Sequence, residues 1–215
     1  MTEKLISLIR KKYPLDEIDV GEFAVLKANG MKFTVKAYTA EGLGHVSLMK
    51  AKGFFGLVKM DTLMIVPKKK DLPLYSYDRI YAMGNDTLIV ELYDTLMGAL
   101  DLSKLDEIKA RFSGLPERDP GEHWYDDIKL AESISKKGKK SITPEFDTFT
   151  LDHFMAYLNA PAAEVVDEGK KNELSAHYVN GLLSRGGPST DVFKKSLGEE
   201  KTAKLFKHVL FGVGV

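Results

Sequence analysis

The stretch Glu22-Phe-Ala-Val-Leu-Lys-Ala-Asn-Gly-Met-Lys-Phe-Thr-Val-Lys-Ala-Tyr38 sets two runs of strand-forming residues around Asn29-Gly30. Asn-Gly readily takes positive φ at both central positions of a tight turn, the geometry that suits the twist of two paired strands. In the second run Met31, Phe33, Val35 and Ala37 alternate with Lys32, Thr34 and Lys36, the period of two expected where one face of a sheet is buried. The sheet therefore begins as an antiparallel hairpin.

Working outward, further strands are expected at 45–49, 57–66, 78–83 and 87–93, the last turn lying at Gly84-Asn-Asp86. The connections are too short for crossover helices, so the sheet is predicted to be antiparallel and largely sequential, which argues against a Rossmann arrangement. Before it, Met1 to Lys12 has an amphipathic helical pattern. From about residue 101 the period lengthens to 3.6, giving a helix over 103–112 with Ser103 as its cap, a polar stretch over 113–143, and helices near 148–159, 161–184 and 189–209, with a break close to Leu197-Gly198. Six strands with helices before and after them need covering on both faces. The fold class expected is α/β: a three-layer α/β/α sandwich around a mainly antiparallel sheet, with residues 1–215 as one domain.

Composition removes several function classes. Lys plus Arg and Asp plus Glu both number 31, so the net charge is zero and a basic nucleic-acid binder is disfavoured. There is no cysteine, which excludes disulfides, thiolate nucleophiles and cysteine-ligated metal or iron–sulfur centres. The five histidines, at 45, 123, 153, 177 and 208, show no i, i+4 pair, and no metal is expected. No apolar run approaches the ~20 residues of a membrane span, and the N-terminal segment does not read as a leader, so a cytoplasmic location without a membrane partner is expected. No P-loop, dinucleotide fingerprint, His-Glu-x-x-His or Gly-x-Ser-x-Gly motif occurs. Gly42-Leu-Gly44 and Gly53-Phe-Phe-Gly56 read as turns or bulges between strands rather than as phosphate loops.

Three segments carry a family resemblance. The first is Leu63-Met-Ile-Val-Pro67, three lysines, and Asp71-Leu-Pro-Leu-Tyr-Ser-Tyr-Asp78-Arg-Ile; the second is Leu115-Pro-Glu117 followed by His123-Trp124; the third is Val192-Phe-Lys-Lys-Ser-Leu-Gly-Glu-Glu200, leading through Phe206 to Val209-Leu-Phe211. In this order they resemble the ferredoxin-dependent bilin reductases, whose fold the red chlorophyll catabolite reductases share. The resemblance implies an open-chain tetrapyrrole held between the sheet and the C-terminal helices. It is reduced there in single-electron steps by external reduced ferredoxin, with no bound flavin, metal or nicotinamide. The substrate carries the radical, so the protein must supply protons from groups whose acid form survives near neutral pH.

On that resemblance Asp78 takes the position of the catalytic aspartate at the start of its strand, with Tyr77 and Ile80 as an apolar wall. A strand-start turn or a pair with Arg79 is the structural alternative. Asp152 is the counterpart of an aspartate in the helical half, or else an acid favoured at a helix N-terminus. His45 is the nearest histidine to the family's set, or else a turn residue in a glycine-rich segment. Strand alternation puts Met60 and Thr62 on one face, as substrate contacts, and turns Asp61 away. The propionates of a tetrapyrrole call for cations, for which Lys70, in the run Lys68-Lys-Lys70, and Arg185 are candidates; the lysine run also suits acidic ferredoxin, or is simply solvated. The glutamate and histidines of members that make phycocyanobilin have no clean match here. A non-catalytic tetrapyrrole-binding protein on the same fold, and a protein-interaction domain, therefore stand as alternatives.

Overall fold

The computed structural model describes residues 1–214. Eight strands form one sheet: β1 (Leu15–Ile18), β2 (Val25–Ala28), β3 (Met31–Ala40), β4 (Gly44–Gly53), β5 (Val58–Pro67), β6 (Leu74–Ala82), β7 (Asn85–Tyr93) and β8 (Ile134–Lys139). Their order is β1-β3-β4-β5-β6-β7-β8, with β2 also pairing along β3, and every pairing is antiparallel. On one face lie α1 (Thr2–Lys12), α2 (Ser103–Arg111) and α3 (Thr143–Leu158). On the other lie α4 (Glu168–Arg185), α5 (Pro188–Leu197) and α6 (Glu199–Lys204), the last running into a π-helical turn over Leu205–Leu210. The three-layer α/β/α sandwich and its sequential antiparallel sheet are as the periodicity predicts.

Local chemistry accounts for the hairpins. Asn29 and Gly30 have φ of 48° and 69°, the paired positive values of a type I′ turn. A second such turn joins β6 to β7, with Met83 and Gly84 at 51° and 75° between the paired residues Ala82 and Asn85; it lies one residue earlier than the glycine and asparagine suggest. Other expected boundaries change as well. β6 begins at Leu74, directly after Pro73, so Asp78 sits in mid-strand rather than at a strand start. The four-residue β1 and the lysine-rich β8 are edge strands, whose shortness and charge hide the alternation that marks inner strands. α4 starts only at Glu168, where the Asp167 carboxylate accepts the Lys170 N–H at 2.9 Å. α3 starts five residues earlier than expected, with a proline in its first turn.

Each face of the sheet packs into its own core. Leu63, Ile65, Tyr75, Tyr77, Leu88 and Val90 meet α1, α2 and α3, whereas Phe33, Met49, Leu74 and Tyr93 meet the C-terminal helices. Within the first core lies a fully buried ion pair. Arg79 grips Asp86 through Nε and Nη2, the latter at 2.6 Å from Oδ2, and Thr143 Oγ1 donates to the same carboxylate oxygen at 2.5 Å. Arg79 is thereby committed to Asp86 on the face opposite Asp78, and the alternative in which Asp78 pairs with Arg79 is corrected: consecutive strand residues point to opposite faces.

Removing one partner of a buried pair leaves the other charge uncompensated. Asp86→Ala is expected to destabilise the fold by about 3–5 kcal/mol, measured as a lowered urea midpoint; a midpoint unchanged from the parent would refute the assigned role of the pair.

Candidate functional site

The face that β3 to β7 turn toward α4 and α5 is built in rows by the strand register. Met49, Thr62, Asp78 and Ile89 lie opposite one another across β4, β5, β6 and β7. One step along on one side runs the row Met64, Ser76 and Glu91; on the other run Met60 and Ile80. These rows floor a cavity of about 340 Å³, within the size range of small-molecule sites. Its floor is apolar and rich in methionine, with Phe33, Met49, Met60, Met64, Ile80 and Ile89 surrounding Ser76, Asp78 and Glu91. Thioether side chains adapt to irregular ligands because they are unbranched and polarizable.

The roof comes from Tyr178 and Leu182 of α4, Thr190 and Phe193 of α5, and Phe206, Leu210 and Phe211 of the final turn. Its height is set by Gly181: a Cβ there would lie 2.2 Å from the Trp124 ring, so only glycine lets α4 rest on that indole. Trp124 Nε1 donates to the Gly186 carbonyl at 2.9 Å, tying the end of α4 to the segment that closes one side of the cavity. Arg118, His123 and Tyr125 line that side. Tyr93 and Tyr178 stack with centroids 4.0 Å apart, and Tyr125 meets both edge-on.

Asp78 occupies the middle of the floor, half-buried, with its carboxyl part of the cavity wall. Burial pushes that carboxyl up to about 6; the Thr62 hydroxyl, which donates to Oδ1, opposes the rise, and the charge of Glu91 adds to it. Glu91 is a diagonal neighbour across β6 and β7, about 7–8 Å away by strand geometry, and accepts a hydrogen bond from the Tyr93 hydroxyl at 2.6 Å. Two polar atoms of the wall are buried without a partner in the protein: Thr190 Oγ1 and His123 Nδ1. Such orphans normally mark unfilled hydrogen-bonding capacity, and here both border the cavity.

The structure thus brings together Asp78, Thr62 and Met60 among the sequence candidates and removes the others. Tyr77 points into the opposite core, because it precedes Asp78 by one residue in a strand; only Ile80, two residues on, shares the Asp78 face. Asp152 lies on α3, across the sheet, half-buried and paired with Arg111 at 2.9 Å. Lys70 sits beyond the end of β5 in an ion pair with Glu164, while Lys69 pairs with Glu168 and Lys68 donates to the Gly212 carbonyl at 2.5 Å. Arg185 is exposed at the end of α4, its guanidinium 5.3 Å from the centre of the Trp124 ring, and does not line the cavity. His45 is no turn residue: it is buried in β4, its Nε2 2.8 Å from the Val209 carbonyl, and burial lowers its pKa to about 4. That ring serves the seam between sheet and C-terminus.

Residues that sequence reasoning missed are Glu91, Arg118, Tyr93, Tyr125, His123 and Thr190. Glu91 carried a signal as a lone acid within the apolar run 87–93, with Tyr93 two residues on and so on the same strand face; the others come from loops and a helix whose docking no local pattern specifies. Among the described residues no group of three or more histidines or acids is arranged to hold a metal ion.

No protein-family model matches the chain, and no curated protein sequence does. Among solved structures the chain is similar to phytochromobilin synthase from tomato, determined in complex with biliverdin, with a TM-score of 0.77 and 13% sequence identity over 99% of this chain and 83% of that one. At that identity the likeness concerns the fold, and the fold is the one implied by the resemblance in the three sequence segments.

The two neighbours of Asp78 have opposite effects on its acidity, which makes them separable. Thr62→Val is expected to raise the Asp78 pKa above 6 by removing the donor to the carboxylate, and Glu91→Gln to lower it by removing a like charge. Carboxyl-selective NMR titration reads both; shifts of the same sign would contradict this electrostatic picture.

Proposed function

We propose that this protein binds an open-chain tetrapyrrole in the cavity between the sheet and α4 to α6 and reduces it in single-electron steps. External reduced ferredoxin supplies the electrons and Asp78 supplies a proton. The observation that carries the reading is a carboxyl held near a pKa of 6 at the centre of an apolar floor, in a chain with the fold of a protein solved with biliverdin bound.

Reducing one double bond takes two electrons and two protons. Each electron raises the basicity of the substrate, and a positioned acid then transfers its proton to the reduced carbon or nitrogen. With a pKa near 6, roughly a tenth of Asp78 is protonated at pH 7, and filling the cavity with an apolar ligand strips away more water and raises that share. Thr62 is a positioning residue: its hydroxyl fixes the Asp78 carboxyl in one orientation toward the cavity. Glu91, with its Tyr93 hydroxyl, is the second acid on the floor and the group nearest by register for the remaining proton. Met49, Met60 and Phe33 supply apolar contact to the pyrrole faces, and Thr190 and His123 offer unfilled polar atoms to lactam oxygens and pyrrole N–H groups. Arg118, at the side of the cavity, can pair with a propionate; among the described residues its guanidinium is engaged only by Ser135 Oγ at 3.2 Å.

Mixing the protein with biliverdin is expected to shift the visible absorbance of the pigment, and reduced ferredoxin is expected to bleach that band with transient radical absorbance. Asp78→Asn should keep the binding shift while slowing decay of the radical by 10²-fold or more, on the order of a lost general acid. Because Asp78 acts as the protonated form, parent turnover should fall as pH rises through about 6, and that limb should vanish in the variant. A shift without any turnover in the parent would leave a tetrapyrrole-binding protein; no shift would remove the ligand assignment altogether.

A further inference from the structure

One end of the sheet carries two features that the cavity does not use. Lys27, Lys32, Lys52 and Lys59 lie directly opposite one another across β2, β3, β4 and β5, so all four project from the same face in a row. At strand spacing the row is about 14 Å long. All four are exposed, and among the described residues none has a carboxylate within ion-pair distance. Like charges directly opposite in a sheet destabilise it. The shallow concavity beside the row, which takes in Lys27, Lys32, Lys52 and the Asn29-Gly30 turn, contains no acidic residue.

Beyond the lysines, the turns at this end present bulky apolar side chains to solvent. Phe55 is 109% exposed, Phe54 54% and Leu57 67% in the β4–β5 turn, and Met83 is 86% exposed in the neighbouring β6–β7 turn. The two turns are adjacent because Val58 pairs with Ala82. Phe54 and Phe55 both have positive φ, 51° and 56°, a conformation unfavourable for aromatic residues and most often retained for a functional reason. Gly53 and Gly56, read from sequence as turn glycines, flank a pair of phenylalanines held outward.

We infer that this end of the sheet is a docking surface for an anionic lipid bilayer, with Phe54, Phe55, Leu57 and Met83 entering the interface and the lysine row resting on the headgroups. The geometry favours a bilayer over an acidic protein because the apolar groups are protruding tips: a fluid interface accepts them in any arrangement, whereas a protein partner needs a matching pocket for each. Phe55 is three residues past Lys52, within about 10 Å along the chain, which matches the ~5–10 Å depth to which apolar faces enter the headgroup and acyl boundary. Lysines at that level are attracted to the anionic headgroups. Among the described residues no helix is long and apolar enough to cross a membrane, so the proposed contact is peripheral. Asn29 and Met31 line both this end and the cavity, so docking would bring one edge of the cavity to the lipid surface. The inference does not rest on the tetrapyrrole reading.

The test is sedimentation of the full chain with phosphatidylcholine vesicles, with and without about one-third phosphatidylserine. Binding is expected only with the anionic lipid, and should be lost at high salt. Lys52→Gln with Lys59→Gln, and separately Phe55→Ser, should each weaken it by at least about tenfold. All three positions are exposed, and circular dichroism of each variant checks that it folds. Absence of binding to anionic vesicles, or binding that neither variant weakens, overturns the inference. Vesicle-independent capture of an acidic protein such as ferredoxin through the same lysines assigns the row to that partner instead.

Discussion

A sheet buried on both faces sends successive residues of each inner strand into different interiors, and the rest of the molecule follows from that division. In β6, Tyr75, Tyr77 and Arg79 enter the core made with α1, α2 and α3, while Ser76, Asp78 and Ile80 face the C-terminal helices. The two charged neighbours therefore meet opposite treatment. Arg79 is bonded on two nitrogens to a buried carboxylate, and its charge is matched in place. Asp78 receives one hydroxyl donor and no cation, so desolvation is left largely uncompensated and the neutral acid gains ground. A one-residue slip in register would exchange these roles and destroy both interiors.

Closure of the second face is incomplete by construction. Gly181 brings α4 down on Trp124, the indole holds Gly186, and α5 starts immediately afterwards at Pro188, so the roof is pinned at one end while methionines and aromatic rings leave space above Asp78. The orphaned Thr190 and His123 atoms stand where the roof and side wall meet that space. Two unpaired polar atoms and a half-compensated acid thus border one cavity.

Much of this architecture was legible in the residues. Asn29-Gly30 placed the first hairpin, alternation assigned Met60 and Thr62 to one face and Asp61 to the other, and short connections made the sheet antiparallel. The errors have physical causes. β1 and β8 are edges whose polar residues carry no alternation. Tyr77 was attached to Asp78 by proximity in sequence, which in a strand means opposition in space. Chain order alone points to Asp152 and Lys70, but α3 carries Asp152 on the opposite face of the sheet and Lys70 lies beyond the end of β5; Arg185 lies against Trp124 and does not line the cavity.

The sequence by itself determined the antiparallel run of the inner strands and the faces of their residues, because these depend on period, turn chemistry and short connections; Asp78 was singled out by the family resemblance, and its mid-strand place came from the structure. Which side chains surround Asp78 was decided only by tertiary structure. Glu91 reaches it through the pairing of β6 with β7, and Arg118, His123, Tyr178 and Thr190 through the docking of a loop and two helices from later in the chain. Strand alternation repeats every two residues and can be read locally; the contact between a strand and a helix a hundred residues away is set by the packing of whole surfaces, and no local pattern encodes it.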